Sequence, residues 1–97
     1  MELIPIADTA TQSFTVTLTR QSCSINLYQR SSGFYCDVYV NNTLVIGGVV
    51  CENLNKIVRD KCLGFIGDVF FYDTQGTDNP SFPGLGTRFQ FLYGVSL

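Results

Sequence analysis

Asp68, Asp73 and Asp78 fall within one short stretch of the chain. Grouped carboxylates are the residue type that performs acid–base work or holds calcium through oxygen ligands. The spacing does not fit a calcium loop, which needs Asp or Asn at alternating positions ahead of a glycine. Turn formation is the plainer reading, because Asp and Asn side chains cap their own backbone, and Asp73-Thr74-Gln75-Gly76 and Asp78-Asn79-Pro80 have that form. A hydrolase built on Asp68 and Asp73 is the weakest of the functional readings. The chain has no histidine, so the commonest general base and metal ligand is missing. The four cysteines, Cys23, Cys36, Cys51 and Cys62, are 13, 15 and 11 positions apart. Structural zinc sites bring their ligands in close pairs, and no base flanks these thiols to make a nucleophile. They read as buried thiols acting as small hydrophobes. No enzyme, metal or cofactor is expected.

Three further patterns are weaker. Gly84-Leu85-Gly86 is half of a phosphate-loop signature, but no helix is expected after it to receive an anion. Lys56, Arg59 and Lys61 form a small basic cluster offset by Glu52 and Asp60, a solvated segment or a partner contact. Strand aromatics could stack bases. Such grooves are basic, whereas this chain has only six Lys and Arg, a net charge of -2 and a pI near 4.7. Nucleic-acid binding is not expected. The opening Met1-Glu2-Leu3-Ile4-Pro5 lacks a basic leader region, and the longest apolar run, residues 44–51, is far short of the roughly 20 residues of a membrane helix. Synthesis in the cytoplasm and no membrane span are expected, and Asn41-Asn42-Thr43 then carries no glycan.

The elements that position these residues are β-strands. The 97 residues suit one domain, 1–97. Hydrophobic residues are 45% and charged residues 14%, well under the usual ~25% charged, which excludes disorder. Phe14, Val16 and Leu18 alternate with threonines, Cys23, Ile25 and Leu27 with polar residues, and Phe34, Cys36, Val38 and Val40 with Tyr35, Asp37 and Tyr39. Turn signals lie at residues 19–22, at Ser31-Ser32-Gly33 and at Asn41-Asn42, and a bulge at Gly47-Gly48. Residues 12–51 therefore read as a four-stranded antiparallel meander. Residues 52–62 read as irregular, with a short helix as the alternative because Leu54, Ile57 and Val58 share a helical face. Residues 65–72 form a strand with Gly67 as a bulge or close approach, residues 73–87 a long loop, and Arg88 to Tyr93 a last strand. Leu3, Ile4 and Ile6 suggest an N-terminal edge strand. About seven strands and little helix predict a small all-β fold, an antiparallel barrel or sandwich. Tyr28, Tyr35 and Tyr39 lie opposite the core phase, as do Phe70 and Tyr72. Strands apolar on both faces need covering on both, and a partner is expected to supply the second cover.

The run Leu63-Gly64-Phe65-Ile66-Gly67-Asp68-Val69-Phe70-Phe71-Tyr72-Asp73-Thr74-Gln75-Gly76, followed by Asp78, Pro80, Gly84-Leu85-Gly86 and Arg88-Phe89, resembles the baseplate plug family of tailed bacteriophages. That family's motif runs approximately L-G-F-x-G-D-L-x-F-x-D-T-Q-G, then G-L-G-x-R-F. The resemblance spans most of the chain, with its specific part in residues 63–89. Cys62 departs from it, since an aromatic residue is expected there, which touches packing. The resemblance implies a non-catalytic virion protein, a small β-rich subunit at the centre of the baseplate of a contractile tail, in contact with hub and tube proteins. It implies that Gly64, Gly67, Gly84 and Gly86 set the backbone path. Asp68, Asp73 and Arg88 would form ion pairs or turn caps that fix the long loop, with Gln75 and Gly76 inside it, and Phe65, Phe71 and Phe89 would be core. Tyr28, Tyr35, Tyr39, Lys56 and Arg59 are the candidate partner contacts. Tail axes are symmetric, so a ring of about three or six copies is expected. The competing reading is a β-barrel binding a saccharide or oligonucleotide, lined by the tyrosines, with residues 73–87 as its lid.

Overall fold

A computed structural model describes residues 2–59 and 65–95. Seven strands follow in order: β1 (Glu2–Ile4), β2 (Thr11–Leu18), β3 (Gln21–Arg30), β4 (Gly33–Val40), β5 (Thr43–Val50), β6 (Asp68–Asp73) and β7 (Phe89–Gly94). They make two antiparallel sheets, β2-β3-β4-β5 and β1-β7-β6. The fold is all-β, as expected. It is a sandwich rather than a barrel, because β2 and β5 end one sheet, β1 and β6 end the other, and among the described residues no ladder joins them.

The meander is built from tight hairpins. Thr19-Arg20 and Asn41-Asn42 both have positive φ at each central residue, 50° and 62° and then 51° and 66°. These are the turns whose twist matches the flanking strands. Asn accepts that backbone readily, whereas a β-branched Thr does not. A hydrogen bond of 2.8 Å between the Thr19 hydroxyl and Tyr93 Oη, on the other sheet, holds the less suited turn. The first turn is therefore tighter than the four residues the sequence suggests, and Gln21 and Ser22 belong to β3. Between β4 and β5 the register slips where Gly47 and Gly48 together face Asp37, and slips again one step further on.

Residues 52–59 are irregular, and the helical alternative fails because Leu54 and Arg59 have positive φ, 64° and 62°. Their donors go to the edge of β6 instead: Leu54 N donates to Phe71 O at 2.8 Å and Ile57 N to Val69 O at 3.0 Å. Ile57 and Val58 are buried beneath the segment and Leu54 is exposed. Residues 60–62, with Lys61 and Cys62, lie outside the described residues. β6 begins at Asp68, three residues later than the apolar run suggests. Gly67 is the reason: its φ is +89°, and a Cβ there would sit 2.5 Å from the carbonyl oxygen of Gly94.

The core lies between the sheets. Phe71 stacks on Phe91 at 4.6 Å between centroids and meets Phe34 edge-on at 5.8 Å, so one aromatic cluster joins both layers. Cys23, Cys36 and Cys51 are free and buried here. Burial pushes the Cys23 thiol up, and the adjacent Cys51 thiol together with burial pushes Cys36 well up, which keeps both protonated and unreactive.

The Gly67 geometry generates a test. Gly67→Ala combines a left-handed backbone with a clash against a main-chain atom, and is expected to destabilise by more than about 1 kcal/mol. Gly47→Ala meets only ordinary contacts, the nearest at 3.5 Å, and is expected to cost less. Paired urea titrations measure both.

Candidate functional site

Asp73 ends β6 with its side chain fully buried, and both of its oxygens are engaged. Oδ1 accepts from Gln75 N at 2.9 Å and Arg88 Nε at 2.9 Å. Oδ2 accepts from Asp78 N at 2.9 Å and Arg88 Nη2 at 2.8 Å. Arg88 therefore grips Asp73 as a two-pronged fork, and its Nη2 also reaches Asp78 Oδ2 at 2.8 Å. The Arg88 guanidinium holds the Asp73 carboxyl well below the usual carboxylate range, and Asp73 in turn raises Arg88. A carboxylate so engaged is a structural anion, not a proton donor near neutral pH.

Asp68 starts the same strand and serves a different segment. Its Oδ1 accepts from Ile57 N, Val58 N and Val69 N at 3.1, 2.8 and 2.8 Å, and its Oδ2 from Arg59 N at 2.7 Å. Asp68 and Asp73 are five residues apart on one strand, so they project from opposite faces and stand on the order of 16 Å apart. That separation removes the two-carboxylate hydrolase as a reading.

The long loop is tied at further points. Asp8 Oδ1 accepts from Gly84 N at 2.9 Å and Leu85 N at 3.1 Å. The amides of the glycine pattern thus hold this chain's own carboxylate where a phosphate would have sat. Gly86 follows because a Cβ there would lie 2.9 Å from Ile6 O. Phe82 N donates to Gln29 Oε1 at 3.0 Å, and Asn53 N to Asn79 Oδ1 at 3.0 Å. A loop held to four neighbouring segments is a fixed part of the framework rather than a lid.

The outer face of the four-stranded sheet carries a polar row across every strand. Ser13 Oγ donates to Asn26 Oδ1 at 2.8 Å, Asn26 Nδ2 to Asp37 Oδ2 at 3.3 Å, and Gly48 N to Asp37 Oδ1 at 2.7 Å. Tyr28 Oη also donates to Asp37 Oδ1, at 2.9 Å. Burial raises the Asp37 carboxyl, but these hydrogen bonds outweigh it and leave the group lowered. Beside the row Tyr28 and Tyr35 stack at 5.9 Å, with the Arg30 guanidinium 4.9 Å above Tyr28. Tyr39 lies beyond Asp37, opposite Ser24 and apart from the stacked pair. Leu44 and Val50, 54% and 42% exposed, extend this face onto β5. The tyrosines thus line an open sheet surface. Lys56 and Arg59 are exposed on the segment along β6, in the other sheet, so the structure does not bring them to the tyrosine row.

Of the remaining motif residues, Phe65, Phe71 and Phe89 are buried, Phe65 edge-on to Tyr93 at 6.0 Å, and Gln75 and Gly76 lie exposed in the turn after Asp73. Gly64 lies outside the described residues. The sequence reading passed over Gln21, which is buried between the sheets. Its Nε2 donates to Leu18 O and Ile66 O at 3.0 and 3.1 Å, and its Oε1 accepts from Ile66 N at 3.0 Å. Tyr93 Oη donates to the same Ile66 carbonyl. A glutamine on the apolar phase of β3 was the available signal.

The lowered Asp73 and Asp37 carboxyls stabilise the fold above the ordinary carboxylate pKa of about 4 and lose that contribution as pH falls toward their depressed values. The melting temperature is expected to be flat above pH 5 and to fall steadily below pH 4. Asp73→Asn is expected to lower it at pH 7 and to flatten the acid limb. Calorimetry between pH 2 and pH 7 measures both effects.

A protein-family model described as cyanophage baseplate Pam3 plug gp18 matches residues 1–96. No curated protein matches the chain.

Proposed function

The chain belongs to the cyanophage baseplate plug family, and from that membership we propose that it is a hub-associated subunit of a contractile tail, touching hub and tube proteins at the centre of the baseplate. Membership carries a structural role in the phage baseplate and interaction with other baseplate proteins. The match over nearly the whole chain is the observation that carries the reading. The chemistry of the site agrees with it. The carboxylates that could have acted on a substrate are consumed as acceptors for this chain's own donors.

The contact surface in this reading is the outer face around Tyr28, Tyr35 and Tyr39, extended by Leu44 and Val50. Tyrosines carry large contact area at small entropic cost and keep a polar tip for rim hydrogen bonds. Lys56 and Arg59 offer a second, charged contact on the other sheet. Synthesis takes place in the host cytoplasm and assembly follows, in a closed set of about three or six copies as the tail axis requires. Six basic residues in the whole chain, with Arg88 committed to Asp73, argue against nucleic acid as a partner.

Quantitative mass spectrometry of purified virions tests the placement. A count of about three to six per tail relative to the sheath protein is expected, and absence from the particle overturns the reading. Phage carrying Tyr35→Lys are expected to incorporate several-fold less of the protein, while the purified variant keeps its melting temperature.

A further inference from the structure

Each sheet ends in strands whose outer backbone groups need an explanation, and three of the four ends have one. β1 is only three residues long. β6 is flanked by residues 53–57, which donate to its carbonyls. β5 is broken by two register slips, a device that spoils an edge as a template. β2 has none of these protections. It runs eight residues in unbroken register with β3, and its sequence, Thr-Gln-Ser-Phe-Thr-Val-Thr-Leu, contains no charge, proline or glycine.

The direction of its free groups follows from the ladder. Gln29 N donates to Ala10 O at 2.8 Å, so the even-numbered residues of this strand turn their backbone groups toward β3. Alternation leaves the odd ones, Thr11, Ser13, Thr15 and Thr17, facing outward. The Thr9 hydroxyl donates to Thr11 O at 3.1 Å. Among the described residues, the N–H and C=O groups of Ser13, Thr15 and Thr17 have no protein partner. The core-side residues at this rim, Phe14 and Val16, are only partly buried although they pack against the core.

We propose that β2 pairs with β2 of a second copy of this chain, antiparallel, across a two-fold axis at Thr15. The strand is complementary to itself in that register. Phe14 of each copy meets Val16 of the other, Ser13 meets Thr17, and Thr15 meets Thr15. At the centre apolar side chains fall opposite apolar ones on the core side and hydroxyls opposite hydroxyls on the outer side, with no charge to repel, while at the ends of the strand Gln12 of each copy meets Leu18 of the other. Moving the axis to Phe14 sets Val16 against Gln12, whose side chain is already committed to Ala7, and moving it to Val16 sets Phe14 against Leu18, which is fully buried within its own chain. The contact is isologous, so it is separate from any head-to-tail contact within a ring and concerns the free chain.

The test is the mass of the purified chain by light scattering at high micromolar concentration, expected at twice the chain mass. Thr15→Pro is the sharpest variant. The Thr15 N–H faces outward, where proline is tolerated, so the fold is expected to persist while the dimer dissociates at least about tenfold more readily. Val16→Pro removes an N–H that faces β3 and is expected to lower the melting temperature instead. Thr15→Lys sets like charges across the axis and decides the matter if the proline variant fails to fold. For the register, a mixture of Phe14→Cys and Val16→Cys chains is expected to form an intermolecular disulfide under oxidation. A wild-type monomer at every concentration, or dimers that survive both Thr15 variants, overturns the proposal. Phe14→Cys chains that cross-link only to themselves overturn the Thr15 axis. The baseplate reading stands or falls on virion composition, so the failure of one is distinguishable from the failure of the other.

Discussion

Two segments of this small protein leave the sheets and still have to satisfy their backbone donors in partly buried surroundings, and the carboxylates of β6 meet that requirement. Asp68 at one end of the strand gathers the amides of residues 57–59. Asp73 at the other end gathers those of Gln75 and Asp78, with Arg88 closing the loop. A buried amide without an acceptor costs on the order of 1–3 kcal/mol, so these acids set the paths of the irregular stretches on either side of β6. Asp8 repeats the device at residues 84–85 and Asp37 at the bulge of β5.

This use of acids lets a chain with so few charges keep an acidic isoelectric point while most of its carboxylates serve donors of its own chain. Asp8, Asp37, Glu52, Asp68, Asp73 and Asp78, six of the eight acidic residues, accept hydrogen bonds from their own chain. The outward chemistry of the four-stranded sheet is left to hydroxyls, amides, tyrosine rings, Leu44, Val50 and Arg30, with Asp37 engaged by donors of its own chain. Such a surface suits a permanent assembly, in which desolvated unpaired charge is costly and aromatic area is favourable.

Much of the architecture was legible because it is local. Period-two alternation marked β2, β3 and β4, and paired asparagines marked a hairpin. What stayed illegible depends on distance in sequence. Sandwich and barrel differ only in whether the end strands meet, and no residue pattern encodes that. The late start of β6 depends on Gly94 pressing against Gly67, 27 residues away in sequence. Asp68 and Asp73 looked like one cluster along the chain, whereas the strand they share keeps them apart. Asp8 and Gln21 carried no motif because each acts through one long-range contact. The family resemblance singled out Asp73, Arg88 and the glycine pair, and the atoms around them supply the physical reason: a fork, a turn and a captured carboxylate.

The slipped register of β5 has a consequence for valence. A sheet open at both ends is divalent and adds copies without limit, as fibrils do. Here Gly47 and Gly48 are crowded opposite a single aspartate, and Gly48 N is turned inward onto that side chain instead of outward toward a new strand. That end of the sheet is spent. Among the described residues the four-stranded sheet keeps one unspoiled end, β2, so any extension of it by main-chain pairing is limited to a single partner.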